Sequence, residues 1–328
     1  MKEEENIIAE LKKSKLIGRS GSGFPTGLKW EAVKKEKATK KYIICNASEG
    51  EPQVKKDGYI LQNFPKEVIE GIKIALKTLG KGTTAYIYLR KDYFQKFGPK
   101  LKKLIGKSSI KLAKKTGPYI GGEETSICDA IEGKRPEPRL KPPFPTKNGL
   151  FGCPTLINNV ETFYYVSKIA KGKYKKTRFY SIEGDIKNKG VFELSANWPI
   201  EKVLKETKNY PDFDFFVKSG GGAMGEILLK KELKKPLSGT GSLIIFNRKK
   251  INIFSLLKEW IDFFHEGNCD KCVPCREGVF RLKEMIDKKK IDKKTMEDLF
   301  FVLSETSFCA LGRGVPTPIG SGVKKLLK

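Results

Sequence analysis

No run of about 18 or more apolar residues occurs anywhere in this chain, which excludes a helix able to cross a bilayer. The first residues, MKEEENIIAELKKS, also lack the apolar core of a secretory signal. A cytoplasmic protein with no direct membrane insertion is the expectation. Acidic residues are scarce as well: 38 Asp and Glu stand against 65 Lys and Arg, a net charge of +27. That balance raises nucleic acid as a partner, yet the chain has no arginine-rich arm and no basic stripe interleaved with aromatics. Its lysines are scattered, often as pairs such as Lys12-Lys13, Lys55-Lys56 and Lys289-Lys290. The reading is a solvated lysine surface and no nucleic acid, with docking of acidic redox partners left open. Internal repeats and long low-complexity linkers are also missing. What remains, at 328 residues and 39% hydrophobic content, is a chain long enough for two or three packed domains.

Histidine is nearly absent, with one in the chain and none near Cys309. This bears on the seven cysteines, four of which fall as Cys269, Cys272, Cys275 and Cys309. A C-x2-C-x2-C run lets three thiolates converge on three corners of a cubane, and a distant fourth cysteine closes the last corner. A [4Fe-4S] cluster is therefore the leading reading. Structural zinc sites more often pair two C-x2-C or C-x2-C/H-x3-H knuckles, and zinc stays the rival. An odd cysteine count with four in a cluster motif fits a reducing compartment. Cys45, Cys128 and Cys153 are then expected as core thiols.

Hydrophobic periodicity gives an amphipathic N-terminal helix around Ile7, Ile8 and Leu11. Strands are expected over Tyr42 to Ala47, Ala85 to Arg90 and Ile110 to Ala113, with helices over Lys66 to Gly80 and Tyr93 to Leu104. Strand and helix alternate, so a mostly parallel α/β sheet is expected in the first half. PTLINNVETFYYVSKIAKG reads as a helix with Pro154 near its first turn. From about Arg178 the texture turns to short β-like pieces, FYSIEG, DFFVKSGGG and SLIIFN. After Ile251 it is helical, ending in a basic helix after Pro318.

Three loops carry candidate chemistry. Gly18 to Trp30 concentrates glycines, Gly21 and Gly23 among them, and then supplies Lys29, as a phosphate-binding loop would; ordinary turns are the alternative. NASEGEP, Asn46 to Pro52, follows a strand. YIGGEET, Tyr119 to Thr125, follows another and opens a helix, so both would line the rim where ligands collect in α/β sheets. The proline-rich stretch from Arg135 to Thr162 is too rich in proline for regular structure. It pairs a cation at Lys141 with a rigidly held Phe144, and offers the amides of Asn158 and Asn159 to a planar heterocycle or ribityl chain.

Together the blocks GRSGSGFPTGLKW, NASEGEP, YIGGEET, EPRLKPPFP, PTLINNVET and CDKCVPCR with its distant Cys309 resemble the NADH-binding flavoprotein (51 kDa) subunit family of respiratory complex I and related NAD-linked hydrogenases and formate dehydrogenases. The resemblance covers nearly the whole chain, in order. It implies a Rossmann-like α/β domain for FMN and NADH over 1–175, a ubiquitin-like β-grasp domain over 176–250, and a helical bundle with one [4Fe-4S] cluster over 251–328. It further implies FMN contacts from Gly21, Gly23, Lys29, Asn46, Tyr119, Gly122, Glu123, Asn158 and Asn159, and NAD(H) contacts from Phe24, Glu49, Glu124, Lys141 and Phe144. The implied activity is an NAD-linked oxidoreductase that passes electrons between NAD(H), FMN and the cluster.

The chain departs from the family pattern at Ser48, where the family has Asp, and at Gln53 and Asp270, where it has Gly. Gly121 stands where the family has Cys, and Ala32 where many relatives carry an aromatic that clamps adenine. Asp270 places a negative charge beside the cluster, which would lower its potential. A second reading, a structural or electron-wire subunit that keeps the cluster but binds dinucleotide poorly, rests on Ser48, Gln53 and Ala32. The chain ends at Lys328 without a thioredoxin-like [2Fe-2S] domain. A separate subunit of that kind and a larger redox complex are therefore the expected partners.

Overall fold

The computed structural model describes residues 2–327, with side chains from residue 7 onward; Met1 and Lys328, the outer limits of the expected first and third domains, lie outside them. Two helices, α1 (Lys2–Ser14) and α2 (Thr26–Lys35), precede β1 (Lys41–Ala47). Next come α3 (Lys56–Asn63), α4 (Pro65–Leu79), β2 (Thr83–Leu89), α5 (Lys91–Ile105) and β3 (Ile110–Lys114). After α6 (Glu124–Ile131) and a short α7 (Pro145–Asn148), β4 (Thr155–Asn159) runs directly into α8 (Val160–Ala170).

These four strands pair in parallel in the order β3-β2-β1-β4. β1 is central, and Ile43, Cys45 and Ala47 on it are fully buried. α4 begins with Pro65, whose missing N–H costs a first turn nothing, and stops at Gly80 with φ 90°. It lies so close to α8 that a Cβ on Gly71 would meet the Phe163 carbonyl at 2.0 Å. The chain leaves β1 toward β2 on one side and returns to β4 on the other. A crevice therefore opens at the carboxyl ends of β1 and β4, where Asn46 and Asn159 are register partners.

One element differs from its expectation. Pro154 does not open a helix: Thr155–Asn159 is the fourth parallel strand, and α8 starts only at Val160, capped by the Asn159 side chain accepting from the Glu161 N–H. All five strand residues are buried. A strand covered on both faces shows no alternation, and five residues are too few to tell it from helix by periodicity. Upstream of Pro154, α7 puts a short helix inside the proline-rich stretch expected to be irregular.

A second sheet follows, built from β5 (Thr177–Gly184), β6 (Gly190–Ser195), β7 (Phe215–Ser219), β8 (Glu226–Leu229) and β9 (Ser242–Asn247), with α9 (Ile200–Glu206) crossing it. Its order is β6-β5-β9-β7-β8, with β5 and β9 parallel at the centre and the other pairs antiparallel. The remainder is helical: α10 (Ile253–Glu266), α11 (Val273–Asp287), α12 (Lys293–Thr306), α13 (Ala310–Gly314) and α14 (Pro316–Leu326). The last helix thus begins slightly before Pro318. Among the described residues no helix is long and apolar enough to cross a membrane.

Candidate functional site

A cavity of about 520 Å³ opens at the crevice beyond β1 and β4, a volume typical of cofactor sites. Gly21, Lys29, Asn46, Glu49, Tyr119, Gly122, Glu123, Glu124, Lys141, Asn158 and Asn159 line it. Gly23, Phe24 and Phe144 are not on its wall; the two phenylalanines are exposed, and the Lys29 ammonium stands 5.9 Å from the Phe24 ring centre. Ala32 lies on the exposed side of α2, away from the wall.

Sequence reasoning missed the parts of the wall contributed from afar. Gly220, Gly239 and Thr240 come from loops of the second sheet, and Leu311 and Gly314 from the helices. The glycine-rich runs SGGG and SGTG were the available signal for the first group; Leu311 carried none. Ser48, Glu51, Lys56 and Asp57, which border residues already singled out, also line the cavity.

The two asparagines have different duties. Asn158 Oδ1 accepts from the Trp30 indole N–H at 3.0 Å, which turns its amide N–H2 toward the cavity as a donor. Asn159 is saturated by the protein. Its Oδ1 accepts from Lys56 Nζ and the Glu161 N–H, and its Nδ2 donates to Asp57 Oδ2 and the Asn46 carbonyl. With two donors and two acceptor sites all engaged, it braces the wall and has nothing left to read a ligand. Asn46 Nδ2 donates to the Gly122 carbonyl, and its Oδ1 accepts from the backbone and hydroxyl of Ser48, so the residue standing in for the family's Asp holds Asn46 in place.

Charges on the wall are paired in a chain. Lys29 faces Glu124 at 3.7 Å; Lys141 donates to Glu123 at 2.8 Å and to Glu124 at 3.2 Å. Glu123 also caps α6, accepting from the Thr125 and Ser126 N–H groups. Burial opposes its charge, but Lys141 and these donors hold its carboxyl below the usual range. Deeper in, Lys56 bonds Asp57 at 2.6 Å and lies 3.2 Å from Glu161. Burial disfavours that ammonium, yet Asp57, Glu161 and Glu49 push it up to about 12. Glu49 accepts from the Asp57 and Gly58 N–H groups and the Tyr93 hydroxyl. Burial, and then the Asp57 carboxylate, push Glu49 up to about 7.

Behind this cavity lies a smaller one lined by Cys269, Cys272, Cys275 and Cys309. Leu311 forms part of both walls. Burial and then the neighbouring thiols of Cys272, Cys309 and Cys269, with Asp270, drive Cys275 well up, and burial drives Cys309 up to about 11. A bound cation centre would favour the thiolate forms that burial disfavours at Cys275 and Cys309. Among the described residues no three His, Cys, Asp or Glu side chains are placed to hold a lone metal ion. Four thiols lining one cavity are the donor set that the corners of a [4Fe-4S] cubane take.

Residues 11–168 match the family described as the Nuo51 FMN-binding domain, and residues 255–326 the NADH-ubiquinone oxidoreductase-F iron-sulfur binding region. The F subunit of the NADH-quinone oxidoreductase of Buchnera aphidicola is 34% identical over 98% of this chain and 82% of its own length. The chain belongs to the NADH-quinone oxidoreductase F-subunit family. Also similar are the alpha subunit of the NAD-reducing hydrogenase HoxS of Cupriavidus necator, 34% identical over 98% of this chain and 59% of that one, and the HndC subunit of the NADP-reducing hydrogenase of Solidesulfovibrio fructosivorans, 30% identical over 95% and 73%. The fold is shared with a solved NAD+-reducing [NiFe]-hydrogenase chain at a TM-score of 0.91 and 24% identity, over 98% of this chain and 61% of that one.

Within this F-subunit family, the local departures have visible consequences. Gln53 and Asp270, at positions where the family has glycine, keep a left-handed backbone, with φ of 58° and 60°. A Cβ on Gly121 would meet the Thr116 carbonyl at 2.3 Å, so the family's cysteine does not fit this loop as it stands. Cys153, expected in the core, is only half-buried, while Cys45 and Cys128 are buried.

Proposed function

We propose that the large cavity holds FMN with NAD(H) laid against it, and that Cys269, Cys272, Cys275 and Cys309 hold a [4Fe-4S] cluster behind Leu311. As a member of its family the chain is an oxidoreductase subunit of a larger redox assembly, carrying an FMN-binding and an iron-sulfur-binding region. FMN, when bound, supplies the conversion between a two-electron hydride and single electrons. The observation that carries the reading is Leu311, whose side chain belongs to both cavity walls and leaves one residue between the two sites.

The donor set supports the assignment. Asn158 offers its amide N–H2 to a heterocycle, Lys29 and the loop at Gly21 offer cation and backbone to the anionic end, and the carboxylates of Glu123 and Glu124 hold Lys141 at the rim. Glycines let the wall segments pack closely on one another: a Cβ on Gly122 would meet Ser48 Oγ at 2.6 Å, and one on Gly50 the Tyr119 ring at 2.9 Å. Phe24 and Phe144, exposed and close in the chain to Lys29 and Lys141, are the proposed stacking surfaces for a dinucleotide.

We read the architecture as three units, over 1–175, 176–250 and 251–328: the parallel sheet has a buried cluster on each face, the second sheet has its own, and the C-terminal helices have a fourth that also takes in Phe216 and Ile227 of the second sheet. The second sheet's order, with its first and last strands parallel in the middle, supports the ubiquitin-like β-grasp assignment, and the helices form the bundle around the cluster. A thioredoxin-like [2Fe-2S] subunit is the proposed neighbour, and the scattered lysines suit an acidic docking face.

The test is anaerobic purification followed by flavin and iron analysis. Stoichiometric FMN with iron and acid-labile sulfide near four per chain, by the cubane stoichiometry, is the expected result. Lys29→Glu should release FMN and keep iron, while Cys309→Ala should lose the cluster; full iron retention in the latter would overturn the cluster assignment.

A further inference from the structure

Lys218 on β7 is wholly buried, and its Nζ has no hydrogen-bond partner among the described residues. It stands 3.7 Å from the centre of the Trp260 ring on α10. Across the sheet it is in register with Ile227 on β8 and Ile244 on β9, so its stem runs through apolar surroundings. Two carboxylates act on it without touching it: Glu51 on the wall of the large cavity, and Glu259 on the exposed side of α10. Most other charged groups on the packed elements are ion-paired, and Glu266 at the end of α10 is exposed. Glu226 on β8 is bound by Lys235 and Lys325, and Lys258 and Asp262 on α10 pair with each other and with Asp287 and Lys283. Ser242 on β9 contributes a neutral hydroxyl that is itself without a partner.

On the cavity side the pattern is complementary. Lys29, Lys56 and Lys141 each have a carboxylate partner. Glu51 has none of the cations; its carboxylate accepts from the Tyr119 hydroxyl and from the Ala223 and Met224 N–H groups. A buried base without a counter-charge is thus within electrostatic reach of a cavity carboxylate without a cation. Burial without a counter-charge disfavours the Lys218 ammonium and holds it well below its ordinary value. Negative charge delivered to the cavity changes that balance, because an added charge in a poorly screened interior favours the ammonium form.

We propose that Lys218 takes up a proton when the flavin of the large cavity is reduced and returns it on reoxidation, acting through Glu51 as a charge-compensating base. One N–H bond forms, with the proton drawn from solvent on the Glu259 side; no other bond of the lysine changes, and the electrons are those supplied by dinucleotide oxidation. The inference rests on FMN occupying the cavity.

The experiment counts protons taken from lightly buffered anaerobic solution, with an indicator dye, as NADH reduces the purified flavin- and cluster-loaded protein. Lys218→Met is never charged and keeps the stem on Trp260; Lys218→Arg is always charged. Wild type should take up more protons per flavin reduced than either variant. The flavin midpoint potential, from mediated equilibrium titration, should fall in Lys218→Met and rise in Lys218→Arg, opposite shifts that a purely structural lysine would not give. The Met variant decides the matter alone if the Arg variant fails to fold. Equal proton counts and unmoved potentials with flavin bound overturn this inference only, whereas wild-type protein that binds no flavin overturns the cavity assignment with it.

Discussion

The Trp30 indole donates to Asn158 Oδ1 at 3.0 Å, and this one bond decides which end of a cavity amide faces the ligand. Trp30 is fully buried on α2 and packs 6.5 Å from Phe163, so it is held from behind. Asn158 without it is free to flip, and half of its orientations would present an acceptor where a donor is needed. Trp30→Phe should therefore weaken FMN by about fivefold, the equivalent of roughly one net hydrogen bond. Fluorescence of released flavin on dilution measures it, and unaltered retention would show that Asn158 does not read the ring.

Phe144 is 56% exposed, a large ring left in water beside the cis prolines of the 141–143 segment. Stacking on a dinucleotide would be worth about 1 to 3 kcal/mol by comparison with base stacking elsewhere. Phe144→Ala should then weaken NADH about tenfold or more while FMN stays bound, because Phe144 is not on the cavity wall. Stopped-flow reduction of flavin across NADH concentrations separates the two effects. An unchanged NADH dependence would favour the reading in which dinucleotide binding is poor.

Much of this was legible in the sequence, for physical reasons that differ by element. The three strands β1, β2 and β3 announced themselves because each is a short apolar run between a helix pattern and a turn. β4 did not, since Thr155 to Asn159 is buried on both faces and ends in an asparagine that also caps α8. The loops at Asn46 and Glu123 were readable as a site because glycines and acids recur after successive strands, and the loop at Gly21 because glycines concentrate just ahead of Lys29. The roles within it were not: nothing in the dipeptide Asn158-Asn159 says that one amide faces the cavity and the other is saturated by Lys56, Asp57, Asn46 and Glu161. Leu311 reaches the cavity only through the packing of distant segments, which no local pattern records, and the glycine runs at Gly220 and Thr240 mark turns without saying where those turns pack.

Gln53 is exposed and sits at φ 58°, where the family has glycine. A side chain in this left-handed region costs about 1 kcal/mol, partly offset by the greater freedom glycine has when unfolded. Gln53→Gly should raise stability by roughly 0.5 kcal/mol and leave flavin content unchanged. Urea unfolding checks it; a lowered midpoint would mean that the side chain makes a contact worth more than the strain.

Glu49 gives the pH dependence a definite sign. In the fold its carboxyl is pushed from 4.5 up to about 7 by burial and by Asp57, whereas the unfolded chain leaves it at its ordinary value. Between those two values the folded state keeps a proton that the unfolded state has released. Its contribution to stability is therefore complete at the acid end and is lost as pH rises through about 7. Glu49→Gln has no proton to lose, and its amide can still accept from the Asp57 N–H. The flavin-free wild type should thus lose roughly 2 to 3 kcal/mol relative to Glu49→Gln between about pH 5 and pH 8. Denaturant melts of both proteins at the two pH values measure this difference. Parallel pH curves would mean that Glu49 is ionised throughout and that the Tyr93 hydroxyl and the two N–H donors outweigh its burial.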